Sequence, residues 1–338
     1  MAPRLPVHPG YLGYRLGSGA ARALPGPVVD PVVRWLGDAG AWVMAERRLI
    51  VERNVERAAG PGLSRWEKAR LVRATFDSYA RYWVESFRLP STPAAALDRG
   101  FDIDGYEHIQ AGLDAGSGVI LALPHLGGWE WGAFWLAAIK HQPVTAVVEP
   151  VEPPELADWF LGLRARFGIT AVPLGPHAGA ASLGTLRDNR ILCLLCDRDI
   201  GGGGVEVEFF GERTTMPAGP ATLALRTGAP LLPSAVYFTD DWRLRAQGYQ
   251  GHHGVVLPPV DTARRGKLRE DVGRVTQELA HALEILIRRA PDQWHLMQPN
   301  WPSDHEALAE RPRARPARPA RRVERSARMG DAGSGGGR

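Results

Sequence analysis

Cysteine is nearly absent, with Cys193 and Cys196 the only two in 338 residues. So few thiols exclude a disulfide framework, and no second pair stands ready to complete a four-cysteine zinc site. On a strand, residues three apart face opposite ways, so this C-x-x-C spacing is accidental, and a reducing compartment fits. Lysine is almost as scarce, with Lys68, Lys140 and Lys267 the only ones among 41 basic residues. That bias reads as high-GC base composition, not as function. No apolar run is long enough to span a bilayer: the most apolar N-terminal stretch, 27–45, is broken by Asp30, Arg34 and Asp38. The opening residues also lack the charged, apolar and small-residue succession of a signal peptide. Neither G-x-x-x-x-G-K nor H-E-x-x-H occurs. The nearest approach to G-x-S-x-G, at residues 180–184, has Ala where the first Gly belongs, which argues against a serine nucleophile on a strand-to-helix elbow.

What is present is a chain with 44% hydrophobic residues, enough for a real core. Its formal charge of +4 is unevenly spread: residues 311–338 carry nine Arg against Glu324 and Asp331, so the rest of the chain is net negative. From about residue 305 the sequence turns rich in Arg, Pro and Ala and then in Gly, which predicts a disordered tail over 305–338. Its arginines would be drawn to anionic headgroups. With no basic stripe interleaved with aromatics in the folded part, nucleic acid is not an expected partner.

Residues 27–45 predict an amphipathic helix with Val29, Val32, Val33, Leu36, Gly40 and Val43 on one side and Trp35 and Trp42 seven apart. It would lie either in a membrane interface or against its own domain. Ser64-x-x-Glu67 is a capping box, after which Trp66, Ala69, Val72, Phe76, Tyr79, Trp83 and Phe87 recur at helical spacing up to Pro90. Beyond residue 118 short apolar runs alternate with helical patterns. Strands are expected at 119–123, 144–148, 171–173, 191–196 and 231–237, and helices at 129–140, 154–167, 178–188 and 218–227. Further strands are expected at 242–249 and 254–257, and a last helix at 267–289. This alternation predicts an α/β fold with a mainly parallel central sheet covered by helices on both faces. Three regions are expected: an N-terminal membrane-associating helical segment at 1–60, the α/β domain at 61–304 and the tail.

Chemistry concentrates where strands end. The first predicted strand runs into Pro124-His125-Leu126-Gly127-Gly128-Trp129-Glu130, and ligands of open α/β sheets bind at the carboxyl ends of strands. His125 is suited to act as a general base on a hydroxyl, with a carboxylate on its other nitrogen to fix the tautomer. Glu130, five positions on, and Asp197, at the end of another buried strand, both qualify as that carboxylate. Arg198 and Asp199 complete the second cluster, where Arg198 suits a carboxylate or phosphate. Glu149 follows a third strand, and Arg164, on the helix after it, is placed to steady an oxyanion or coenzyme phosphates.

These segments, with Phe209-Phe210-Gly211-Glu212, residues 216–221 and the run from Asp292 to Trp301, resemble the bacterial lipid A biosynthesis acyltransferase family. Within it they resemble the actinobacterial phosphatidylinositol mannoside acyltransferases. The resemblance implies transfer of a long acyl chain, commonly palmitoyl, from acyl-CoA to the 6-hydroxyl of a mannose on a phosphatidylinositol mannoside. It further implies a peripheral protein on the cytoplasmic face of the plasma membrane, and no metal or bound cofactor. By position His125 matches the family base, Asp197 its acidic partner and Glu130 the acidic end of H-x4-D/E, while Glu149 and Arg164 match polar active-site positions. The mycobacterial members carry Asp and Glu where this chain has Glu130 and Asp197. Another glycolipid acceptor, or hydrolysis of the acyl-CoA by water, would use the same groups.

Overall fold

In a computed structural model the chain is described at residues 9–149, 154–240, 242–246 and 249–311. It opens with α1 (Pro9–Ala23), α2 (Gly26–Val43), α3 (Ala45–Ala59) and the long α4 (Arg65–Arg88). The capping box forms as expected, with the Glu67 backbone N–H donating to Ser64 Oγ at 3.2 Å and the Ser64 N–H to the Glu67 carboxylate at 2.8 Å. Trp66, expected on the apolar side, instead lies 71% exposed in the first turn. Helix α2 uses two faces. Val29, Val33 and Gly37 are buried, and Gly37 lies against the backbone of Asp77 so tightly that a Cβ would collide with it. Trp35, Leu36, Trp42 and Val43 point outward, so Leu36 and Val43 do not share the buried face with Val29 and Val33.

After α5 (Ala94–Arg99) the chain enters β1 (Phe101–Asp104), α6 (Tyr106–Asp114), β2 (Val119–Leu123), α7 (Trp129–Ala138) and β3 (Val144–Val148). Next come α8 (Pro154–Ala165), β4 (Ile169–Pro173), α9 (Ala178–Arg187), β5 (Ile191–Leu195) and the hairpin β6 (Val205–Phe209) and β7 (Glu212–Met216). Then follow α10 (Gly219–Thr227), β8 (Leu231–Thr239), α11 (Trp242–Ala246), β9 (Gly251–Val256), α12 (Leu268–Arg289) and α13 (Pro302–Ala309).

Seven strands form one sheet in the order β1-β9-β8-β2-β5-β3-β4, parallel except for the antiparallel β8–β9 pair. The α/β fold with a mainly parallel sheet is therefore as expected. Central β2 is buried along its whole length and feeds two cores by simple alternation. Ile120 and Ala122 pack on the side of α10 and α12, while Val119, Leu121 and Leu123 pack on the side of α7 with Trp131 and Phe134.

Two further expectations need correction. Residues 242–246, expected as a strand, form α11; Arg, Leu and Ala are strong helix formers, and Leu244 is buried. Residues 305–309, expected in the disordered tail, lie within α13. There Asp304, fully buried, accepts from Arg53 at 2.6 Å and from Arg57 at 2.8 Å. Residues 312–338 lie outside the described residues.

Candidate active site

Because β5 lies between β2 and β3, the three strand ends that carry His125, Asp197 and Glu149 are neighbours, each about 4.8 Å from the next. The loop after β2 is pinned on both sides. The Gly127 N–H donates to the Gln293 carbonyl at 2.9 Å, the Gly128 N–H to the Val236 carbonyl at 3.0 Å and the His295 N–H to the His125 carbonyl at 2.7 Å. Gly127 has φ +57°, and a Cβ there would strike the Val236 carbonyl. The glycine answers the close approach of β8.

His125 is held by Asp197 alone among the described carboxylates. Its Nδ1 lies 2.6 Å from Asp197 Oδ1, and its backbone N–H donates to Oδ2 at 3.0 Å. An ionised carboxylate only accepts, so Nδ1 carries the proton and Nε2 is the basic nitrogen. Trp294 Nε1 donates to Asp197 Oδ2 at 2.8 Å, and Asn300 holds the Asp197 carbonyl. Asp197 is wholly buried, which pushes its carboxyl pKa up. The charge and hydrogen bond of His125, with the Trp294 and backbone donors, outweigh this and keep it below the ordinary carboxylate range.

Glu130 does not take up the imidazole. It is buried in the first turn of α7 and forms an ion pair with Arg164 of α8. Burial disfavours the Arg164 charge, but Glu130 more than offsets it. Glu149 pairs with Arg198 at 2.7 Å. All four line the same cavity as His125, with a volume of about 480 Å³. Asp199 does not line it; its carboxylate accepts from the Gly204 N–H at 2.8 Å and Thr215 Oγ1 at 3.1 Å, tying the glycine-rich loop to β7. Cys193 lines the cavity and Cys196 is buried behind it. Both are free, with burial pushing the Cys193 thiol up to about 12.

The rest of the cavity is mostly apolar, walled by β2, β3, β5, β8 and β9, by Gly132 and Leu136 of α7, and by Tyr79, Tyr82 and Trp83 of α4. Tyr14 of α1 closes one side, edge-on to Trp83, Phe87 and Phe160. Of the expected α4 core stripe, Tyr79 and Trp83 therefore face this cavity. Reading the residues alone overlooked His295. It lines the cavity, lies 2.8 Å from Ser78 Oγ through Nε2 and buries Nδ1 with no partner. Burial, and then the charge of His125, push its pKa down to about 3, so it is neutral. The signal lay in Trp294-His295, side by side after the last long helix, where two polar-tipped rings in one run need two polar partners. Among the described residues no cluster of His, Cys, Asp and Glu is grouped to hold a metal ion, and no helix is long and apolar enough to cross a membrane.

A histidine–carboxylate pair thus stands at the polar end of a largely apolar cavity. The sequence profile of the bacterial lipid A biosynthesis acyltransferases matches residues 7–303, and the chain belongs to that family. It is 37% identical over 310 residues to the phosphatidylinositol mannoside acyltransferase of Mycolicibacterium smegmatis, spanning 90% of this chain and 94% of that one. The protein of the same name from Mycobacterium tuberculosis H37Rv is 37% identical over 89% of this chain and 90% of its own. The Escherichia coli lipid A biosynthesis palmitoleoyltransferase is 22% identical over 85% and 90%.

Proposed function

We propose that the protein transfers a long-chain acyl group, palmitoyl in the first instance, from acyl-CoA to the 6-hydroxyl of a mannose on a phosphatidylinositol mannoside. The observation that carries this reading is the His125–Asp197 pair at the polar end of the apolar cavity. The two mycobacterial relatives bear the name of that acceptor. In the proposed step the mannose hydroxyl lies at His125 Nε2, which takes its proton as the oxygen attacks the thioester carbonyl. The tetrahedral intermediate collapses with cleavage of the C–S bond, and the imidazolium returns the proton to the departing thiolate. Asp197 stabilises the transient imidazolium and stays ionised. Arg164 and Arg198, each partly neutralised by its own glutamate, put positive charge beside the developing oxyanion or the coenzyme phosphates.

The reading places the enzyme on the cytoplasmic face of the plasma membrane, held peripherally. Support comes from α2, whose outward face carries Trp35, 68% exposed, and Trp42, 81% exposed, two turns apart, with Leu36 and Val43 beside them. Tryptophan on one side of a surface helix favours the headgroup boundary. Helix α1 precedes it and brings Tyr14 to the cavity, so a lipid acceptor would reach His125 from that side. The deciding measurement is thiol release from palmitoyl-CoA with and without a phosphatidylinositol mannoside, for wild type and His125→Ala. Acceptor-dependent release that is lost in the variant supports the transferase. Release without acceptor points to a thioesterase, and no release to another donor.

A further inference from the structure

A row of register partners crosses the sheet from the catalytic loop to its edge. Gly127 bridges Val236 of β8, Val236 pairs with Gly254 of β9, and Gly254 pairs with Ile103 of β1. Direct partners share a face, and three strand steps cover about 14 Å. Val236, Gly254 and Ile103 all line the cavity, as do Phe101 and Ile109 at the same edge. The one position in the row beyond the loop that lacks a side chain is Gly254. The Phe101 ring fills the space in front of it: a Cβ on Gly254 would lie 2.9 Å from Phe101 Cζ and 3.1 Å from Ile103 Cγ1. From above, Gly132 of α7 opens the same place, since its Cβ would come within 2.9 Å of Val236 Cγ2 and 3.7 Å of the Phe101 ring. The same ring also packs on Trp135 at a centroid distance of 4.7 Å, which limits its room to move. Backbone φ does not demand glycine at 132 or 254, as neither has a positive φ. Space does.

We propose that Phe101, together with Gly254 and Gly132, forms the stop that sets how long an acyl chain the cavity accepts, the chain lying along this row with its carbonyl at His125. The proposal rests on the acyl-transfer reading. A methyl group added at Gly254 drives the Phe101 ring into the cavity and shortens the space along this row, whereas removal of the ring lengthens it. One methylene too many in a close-fitting apolar pocket alters kcat/KM by about 10–200-fold. The test compares the purified full chain with Gly254→Ala, Phe101→Ala and the double variant, using acyl-CoA thioesters of increasing even chain length. The readout is the ratio of kcat/KM between successive lengths, with thermal unfolding confirming that each protein is folded.

Gly254→Ala should lower the ratio at the longest accepted chain by about tenfold or more. Phe101→Ala should move the optimum to a longer chain, and the double variant should move it back toward wild type, because the new methyl then occupies the vacated space. Should no thioester turn over in wild type, the acyl-transfer reading fails. The stop is then judged by calorimetric binding of free fatty acids of the same lengths, with the same ordering expected. An unchanged length profile in both folded single variants overturns the proposal in either format. If Gly254→Ala does not fold, Phe101→Ala decides alone: an optimum that stays in place sinks the stop.

Discussion

His125 and Asp197 form a unit whose members respond differently to substitution. Loss of the proposed base in His125→Ala should lower turnover by about 10²–10⁴-fold with the unfolding midpoint little changed, since the ring is only partly buried. Asp197→Asn keeps the base but loses the anion that orients it, so its turnover should fall less than that of His125→Ala. Its stability should drop more, because Asp197 accepts from His125 and Trp294 with no exposure to water. The reverse order of stabilities in thermal melts would contradict this assignment. His295 makes a prediction about acid. Its folded pKa of about 3 lies below the unfolded value near 6.5, so the unfolded chain binds a proton first as pH falls. The stabilisation is complete above about pH 6.5 and is lost toward pH 3 by up to about 1.4 kcal/mol per pH unit. His295→Gln should therefore show a flatter decline of the urea midpoint between pH 6.5 and 4.5 than wild type. Equal slopes would refute it. Of these residues, His125 and Asp197 were legible because each sits at a strand end. The choice between Asp197 and Glu130 was not, because an i+5 separation leaves the Glu130 side chain free to turn toward α8.

Elements with a strong period or a local signal were readable one by one. The S-x-x-E box begins α4, and β2 and β3 fall at their expected ends. The β6–β7 hairpin was not read, although Phe210 at φ +54° and Gly211 at +74° make the two-residue turn that such a hairpin needs. Its cue was a bulky aromatic in a left-handed conformation, which sequence disfavours and packing overrides. Phe210 is held by Trp294 at 5.3 Å and by Arg288 over its ring at 4.8 Å. The loop after β2 gives a sharper test. Gly127→Ala must adopt φ +57° and meet the Val236 carbonyl, so it should destabilise the fold by about 1–3 kcal/mol from backbone strain, with the collision added. A thermal midpoint within a degree of wild type would show that the loop is not pinned as described.

Across the whole molecule, the two ends of the described chain are tied together. Helix α3 holds α13 through Arg53 and Arg57 on Asp304, with Arg57 also 3.9 Å above the Trp301 ring. Asn54 of the same helix donates to the Leu296 carbonyl beside His295. Truncation after Trp301 would remove the anion beneath both arginines and should lower the thermal midpoint markedly, whereas truncation after Arg311 should leave it in place. The shorter deletion is thus the one that can test the arginine tail as a membrane tether. On α2, replacing Trp35 and Trp42 together with Ser should weaken binding to anionic vesicles by at least about tenfold. The midpoint should change little, because both rings are mostly exposed. Undiminished vesicle binding would remove α2 from the membrane reading.

The sequence by itself determined the class of fold and the strand ends where polar groups gather, His125 and Asp197 among them. These follow from period, from turn residues and from the rule that sheets present ligands at their carboxyl ends, all written within a few residues of one another. Only the tertiary structure decided which carboxylate meets His125, that Asp199 serves the loop, that His295 lines the cavity, and that α11 is a helix. The carboxylate at His125 and the place of His295 depend on strand order and on contacts between segments scores of residues apart. Asp197 reaches His125 because β5 is inserted between β2 and β3, and Glu130 leaves it because α8 brings Arg164 across. No local pattern encodes a neighbour of that kind.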